Sequence, residues 1–113
     1  MTVSYSADLA SNYANSSSSQ ILLPVISWPG GIGTFSWFAT TYTNATVTLL
    51  GLTPDPAESN AAFVALGVDV TKTAPGFGSF TMAPCRLRLA ISPTVAGTFT
   101  VSGLHARIAR VQY

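Results

Sequence analysis

Charge is what this sequence has least of. Lys, Arg, Asp and Glu make up 8% of its 113 residues, where an ordinary soluble domain carries about 25%. Five cations meet four acids for a net charge of +1, so the total leaves no electrostatic footprint for nucleic acid and does not describe a charged, disordered tail. The surface must be covered largely by Ser, Thr, Asn, Gly and Ala, and such a surface repels its neighbours weakly, which favours association. The single cysteine, Cys85, excludes an internal disulfide, so stability has to come from packing or assembly. No apolar run approaches the about 18 residues of a membrane-spanning helix. The longest, 21–26 and 63–68, are interrupted by Pro24 and Gly67. Residues 1–20 lack a positive stretch followed by an apolar core, so neither a secretory signal nor a membrane partner is expected. The sequons at Asn15 and Asn44 then read as chance in a Ser/Thr/Asn-rich chain.

What is present is a chain that is 48% hydrophobic and of a length that forms one domain, with about two-thirds of its unfolded surface buried on folding. It divides into a polar leader, residues 1–19, and a β-rich domain, residues 20–113. The leader contains the run Ser16-Ser17-Ser18-Ser19 and reads as a polar N-terminal arm. Tyr5 and Tyr13 in it are either anchors for a neighbouring surface or incidental to a fraying terminus. From Gln20 onward, short runs rich in Val, Ile, Thr, Phe and Trp alternate with Gly, Pro and Asn. Strands are expected near 20–27, 34–42, 46–52, 62–66, 68–73, 77–82, 86–92, 98–102 and 104–111. In 34–41, Phe35, Trp37 and Ala39 alternate with Thr34, Ser36 and Thr40, the period of a half-buried strand. Phe38 breaks that alternation and predicts cover on both faces. In 86–92, Leu87, Leu89 and Ile91 share a core face, while Arg86, Arg88 and Ala90 share the other. The segment Asp55-Pro56-Ala57-Glu58 has the cap, first-turn proline and acid of one helical turn. With turns every 8–12 residues and no amphipathic helix for crossovers, the fold class is all-β. It is an antiparallel β-sandwich or jelly-roll-like barrel of about eight strands.

Chemistry is sparse. Catalysis needs converging titratable groups, and the pair that can be named is Cys85 with His105. A small, moderately apolar residue at a strand entrance describes Cys85 better. His105 shares a strand face with Arg107 and so suits a neutral hydrogen-bonding partner. No cluster of His, Cys, Asp and Glu has metal-ligand spacing, and a shared site would require symmetric copies each contributing His105. Gly30-Gly31-Ile32-Gly33 runs into a strand and not a helix, which removes the phosphate-cradle reading. No enzyme activity, cofactor or metal is therefore expected. Arg86, Arg88, Arg107 and Arg110 are too few for nucleic acid and are better used in protein interfaces, where Arg is enriched. Trp28, Trp37 and Tyr42 are the candidates for a sugar platform. Trp37 is read as core, and Trp28, beside Pro29 at a strand end, as the more exposed of the two.

The succession Thr46-Val47-Thr48-Leu49-Leu50-Gly51, Phe63-Val64-Ala65-Leu66-Gly67, Phe80-Thr81-Met82-Ala83-Pro84-Cys85-Arg86-Leu87-Arg88-Leu89 and Leu104-His105-Ala106-Arg107-Ile108-Ala109-Arg110-Val111 resembles small β-rich virion proteins of tailed bacteriophages. These are the head decoration, or cement, proteins and the bases of head fibres. The resemblance departs from the pattern at Cys85, in place of a glycine, and at the loop 53–60. It implies a homo-oligomer, often a trimer, assembled in the bacterial cytoplasm and seated on the outer capsid surface, where it bridges major capsid proteins. Tyr5, Tyr13, Trp28, Arg86, Arg88, Arg107 and Arg110 are the interface candidates. The alternative is a carbohydrate- or receptor-binding module of a head fibre or tail.

Overall fold

A computed structural model describes residues 2–52, 63–67 and 70–112, without the side chains of Thr2 and Gln112. Two antiparallel sheets pack as a sandwich. The first has the order β1 (Thr2–Ser17), β11 (Phe99–Gln112), β4 (Gly31–Phe38) and β9 (Gly76–Met82), with β5 (Thr41–Thr43) also pairing β11. The second is centred on β10 (Cys85–Pro93) and β6 (Ala45–Leu52). Along β10 run the short strands β2 (Ile21–Leu22) and β3 (Ile26–Trp28), and along β6 run β7 (Val64–Ala65) and β8 (Thr71–Lys72).

Period-two patterning decides which face of each strand is covered. In β4, Phe35 and Trp37 point inward at 0% and 2% exposure, and in β10, Leu87, Leu89 and Ile91 are all at 0%. They meet Val47 and Leu49 of β6 and Phe99, Val101, Leu104 and Ile108 of β11 in one core. Among the described residues no polar or charged residue is buried in it. Arg86 and Arg88 stand on the opposite, outer face of β10, as the alternation requires. Phe38 departs from its expectation. It ends β4 pointing outward at 59% exposure, so that strand is covered on one face only.

The largest departure is the polar leader. Residues 2–17 are an edge strand paired with β11 from Thr2↔Gln112 to Ser17↔Phe99, not a projecting arm. Backbone hydrogen bonding does not depend on apolar side chains, and Tyr5, Ala7 and Leu9 alternate with Ser4, Ser6 and Asp8 so that the inner set reaches the core. Register shifts interrupt the pairing, and Asn12 takes φ 53° within it, a left-handed conformation Asn tolerates.

Other boundaries moved for local reasons. The strand expected over 20–27 splits around Pro24, which has no N–H to give β10. Those expected over 98–102 and 104–111 are one strand, in which Gly103 at φ 64° bends the chain where β4 yields to β5. A Cβ there would lie 2.5 Å from Thr40 Oγ1. The β10–β11 turn is held by Asn44, whose Oδ1 accepts from Val95 N–H at 2.9 Å and whose Nδ2 donates to the Val95 and Thr98 carbonyls. The expected helical turn at Asp55–Glu58, and the starts of the expected strands 62–66 and 68–73, lie outside the described residues.

Gly33 of β4 marks a point of close approach: a Cβ there would sit 2.6 Å from Phe80 Cζ and 2.7 Å from Trp28 Cη2. Gly33→Ala is expected to cost about 1–3 kcal/mol through overpacking, read as a lower midpoint in urea unfolding.

Candidate functional site

The first sheet presents an outward face on which one row crosses four strands. Asp8 of β1 is opposite Arg107 of β11, Arg107 is opposite Ser36 of β4, and Ser36 is opposite Phe77 of β9. The adjoining outward pair on β11 and β4 is His105 with Phe38. The strands hold these side chains at fixed spacing, because outward positions on adjacent strands are near neighbours. Arg107 Nε donates to Asp8 Oδ1 at 2.9 Å, with the two side chains 62% and 53% exposed. Water screens a pair so open, and such pairs contribute about 0–1 kcal/mol. The His105 ring stacks on Phe38 at 4.8 Å between centroids and 18° between planes. Asp8, Ser36, Phe38, His105, Ala106 and Arg107 line a depression of about 290 Å³.

The other interface candidates have partners within their own chain. Tyr5 O–H donates to the Ser27 carbonyl at 2.7 Å, and its ring meets Trp28 edge-on at 5.9 Å. Tyr13 packs against the core, and its hydroxyl accepts from Asn15 Nδ2 at 2.8 Å. Both tyrosines therefore tie β1 to its own sandwich. Trp28, read as the more exposed of the two tryptophans, is at 2% and lies against Phe80 at 4.9 Å between centroids. Trp37 is also at 2%, with Tyr42 edge-on to it, so the two tryptophans form no surface platform. Arg110 donates to the Gly30 carbonyl and to Ser4 Oγ, fastening β1 and the turn before β4 to β11. Arg88 Nε donates to the Leu23 carbonyl at 2.8 Å, and the guanidinium groups of Arg86 and Arg88 lie over the Phe63 ring at 5.6 and 5.8 Å. Of the seven candidates, Arg107 is the one whose charged group stands openly on the outer face.

Cys85 and His105 are not brought together. Cys85 opens β10 in the second sheet, facing the core at 5% exposure, while His105 is on the outer face of the first. Burial pushes the Cys85 thiol up from its usual range. Among the described residues no group of three or more His, Cys, Asp and Glu is placed to hold a metal ion. The sequence reading missed Phe38 and Ser36 as site residues, although the signal was there: outward positions in a strand whose inward set is Phe35 and Trp37. A second, apolar depression of about 450 Å³ lies between Leu52, Val64, Leu66, Met82 and Pro84 at one end of the second sheet.

No family model and no curated protein matches the sequence. The fold is similar to that of a chain in the structure of infectious bursal disease virus, Gx strain, at a TM-score of 0.52 and 16% identity. The match covers 94% of this chain and 32% of the viral chain. A chain in the crystal structure of the VP2 subviral particle of infectious bursal disease virus matches at a TM-score of 0.48 and 15% identity, with the same coverage of 94% and 32%. This chain thus spans about a third of the length of the chains it matches.

Two outcomes follow from the site. Asp8→Asn is expected to change folding stability by less than about 1 kcal/mol, measured by urea unfolding at low and high salt. At Cys85 the folded state holds the thiol proton more tightly than the unfolded state, so this group's stabilisation is present below the ordinary thiol pKa and is lost as pH rises through the raised one. Iodoacetamide at neutral pH is expected to leave the folded chain unmodified and to label Cys85 in urea, read by intact mass.

Proposed function

We propose that this chain is a structural subunit of a virus particle. More specifically, it acts as a decoration protein that oligomerises as a trimer on the outer surface of a tailed-phage head and bridges neighbouring major capsid proteins. The observation that carries the reading is the extent of the fold match: 94% of this chain overlays part of a chain from a virus structure. The sequence resemblance to phage head proteins supports the finer assignment.

Physical features of the surface are in keeping with it. A shell built from many copies brings like surfaces close, and 8% charge keeps their repulsion small. Outward apolar groups such as Val3, Val64 and Phe77, at 58%, 62% and 79% exposure, supply area for modest contacts. Modest contacts repeated over linked copies hold by avidity. Arg107 is the cation placed to exchange its exposed partner for a carboxylate of the major capsid protein, whereas Arg110 is occupied in holding its own chain. No catalytic step, cofactor, metal, nucleic acid or membrane enters this function. The particle would be assembled in the host cytoplasm.

The test is to express the tagged chain during infection, purify particles on a density gradient and quantify the chain by mass spectrometry, with its solution mass measured by light scattering. Peptides in stoichiometric ratio to the major capsid protein, together with a trimeric mass, are expected, and Arg107→Ala is expected to lower the ratio. A monomer that stays in the soluble fraction overturns the reading.

A further inference from the structure

The depression on the outer face of the first sheet is chemically unlike the rest of the surface. In a chain with 8% charge and one histidine, a carboxylate, a guanidinium, that histidine, a hydroxyl and a phenyl ring converge on about 290 Å³. We infer that this depression is a binding site for a single neutral sugar residue of a glycan.

Each group presents chemistry that suits a pyranose. Phe38 is 59% exposed although His105 stacks on it, so much of its ring surface stays open to solvent. The apolar C–H face of a pyranose is complementary to such a ring, whose face carries the negative part of the aromatic quadrupole. Around the ring stand groups that match vicinal hydroxyls. Asp8 uses Oδ1 toward Arg107 and keeps Oδ2 as an acceptor, and Arg107 uses Nε and keeps its terminal amines as donors. Neither has a further partner among the described residues. Ser36, opposite Arg107 in the register, adds a hydroxyl that both gives and accepts. The ion pair orients its two members before a ligand arrives, which lowers the ordering cost of binding. Because the carboxylate and guanidinium neutralise each other, the site offers no net charge to an ionic ligand and suits a neutral one. All of the groups lie on three adjacent strands, so the site is rigid.

The site belongs to one chain and is read with the isolated protein, so the result stands whether or not the chain is a particle subunit. The ¹⁵N-labelled chain is titrated with the methyl pyranosides of glucose, galactose, mannose and N-acetylglucosamine, one at a time, and followed by amide shifts. At least one is expected to give saturable shifts centred on Asp8, Ser36, Phe38, His105 and Arg107. Phe38→Ala and Asp8→Asn are each expected to weaken that binding roughly tenfold or more, the loss of one charge-assisted hydrogen bond or one stacking face, with the rest of the spectrum unchanged. The proposal is overturned if none of the four sugars gives saturable shifts. It is equally overturned if the shifts fall elsewhere, or if the same residues shift with protein concentration alone, which would make this face a contact between copies. Should Phe38→Ala disturb the whole spectrum, Asp8→Asn alone decides, and unchanged affinity there overturns the assignment.

Discussion

The pairing of β11 along both of its edges is the constraint from which the rest of the structure follows. One side carries β1 from end to end, and the other carries β4 and then β5, with Gly103 bending the strand where one gives way to the other. Its inward residues Val101, Leu104, Ala106 and Ile108 are each at 0–1% exposure, so the same strand is both the hydrogen-bonding axis of its sheet and the floor of the core. Its outward residues, His105 and Arg107, then fall beside Phe38, Ser36 and Asp8 without further adjustment. The candidate site is thus a by-product of register, and a one-residue slip of β11 would turn His105 and Arg107 away from Phe38, Ser36 and Asp8.

The β class and the facing of the two best-patterned strands were legible because alternation is a direct image of a one-sided core. Leu87, Leu89 and Ile91 fell where period two placed them, and so did Phe35 and Trp37. Phe38 was misread because a run of apolar residues in sequence does not reveal whether a second layer covers the outer face; here none of the described residues buries it. The leader was misread for a different reason. Its Ser and Asn content describes the side chains, whereas its order comes from backbone bonds to a strand at the far end of the sequence, which no local window contains. Tyr5, Ala7 and Leu9 carried the alternation that gives it away.

The interface candidates divide according to how much the fold needs them. Tyr5, Tyr13 and Arg110 make their polar contacts inside the chain, and Trp28 packs its ring there, where an unmade contact would be costly. Arg107 satisfies its charge with an exposed partner that contributes little to stability, and a contact of low intrinsic worth is the kind a ligand or neighbouring molecule can rearrange. Residue type alone could not separate these cases, since four arginines of similar context have different partners once the turn at Gly30, the Leu23 carbonyl, the Phe63 ring and Asp8 are in place.

The antiparallel union of β1 with β11 also sets the order in which the molecule can form. During synthesis β1 emerges before the other strands of its sheet and its partner β11 is the last of them made, so Phe35 and Trp37 lack their cross-strand neighbours Ile108 and Ala106 until then. Contacts of such long sequence separation close late and slowly. Until they do, β1 is a free strand edge and the nascent sheets expose apolar surface. The interval between emergence of β1 and release of β11 is therefore the period in which the chain is most open to misassociation. A downstream partner that binds the finished outer face acts only on molecules that have passed through it.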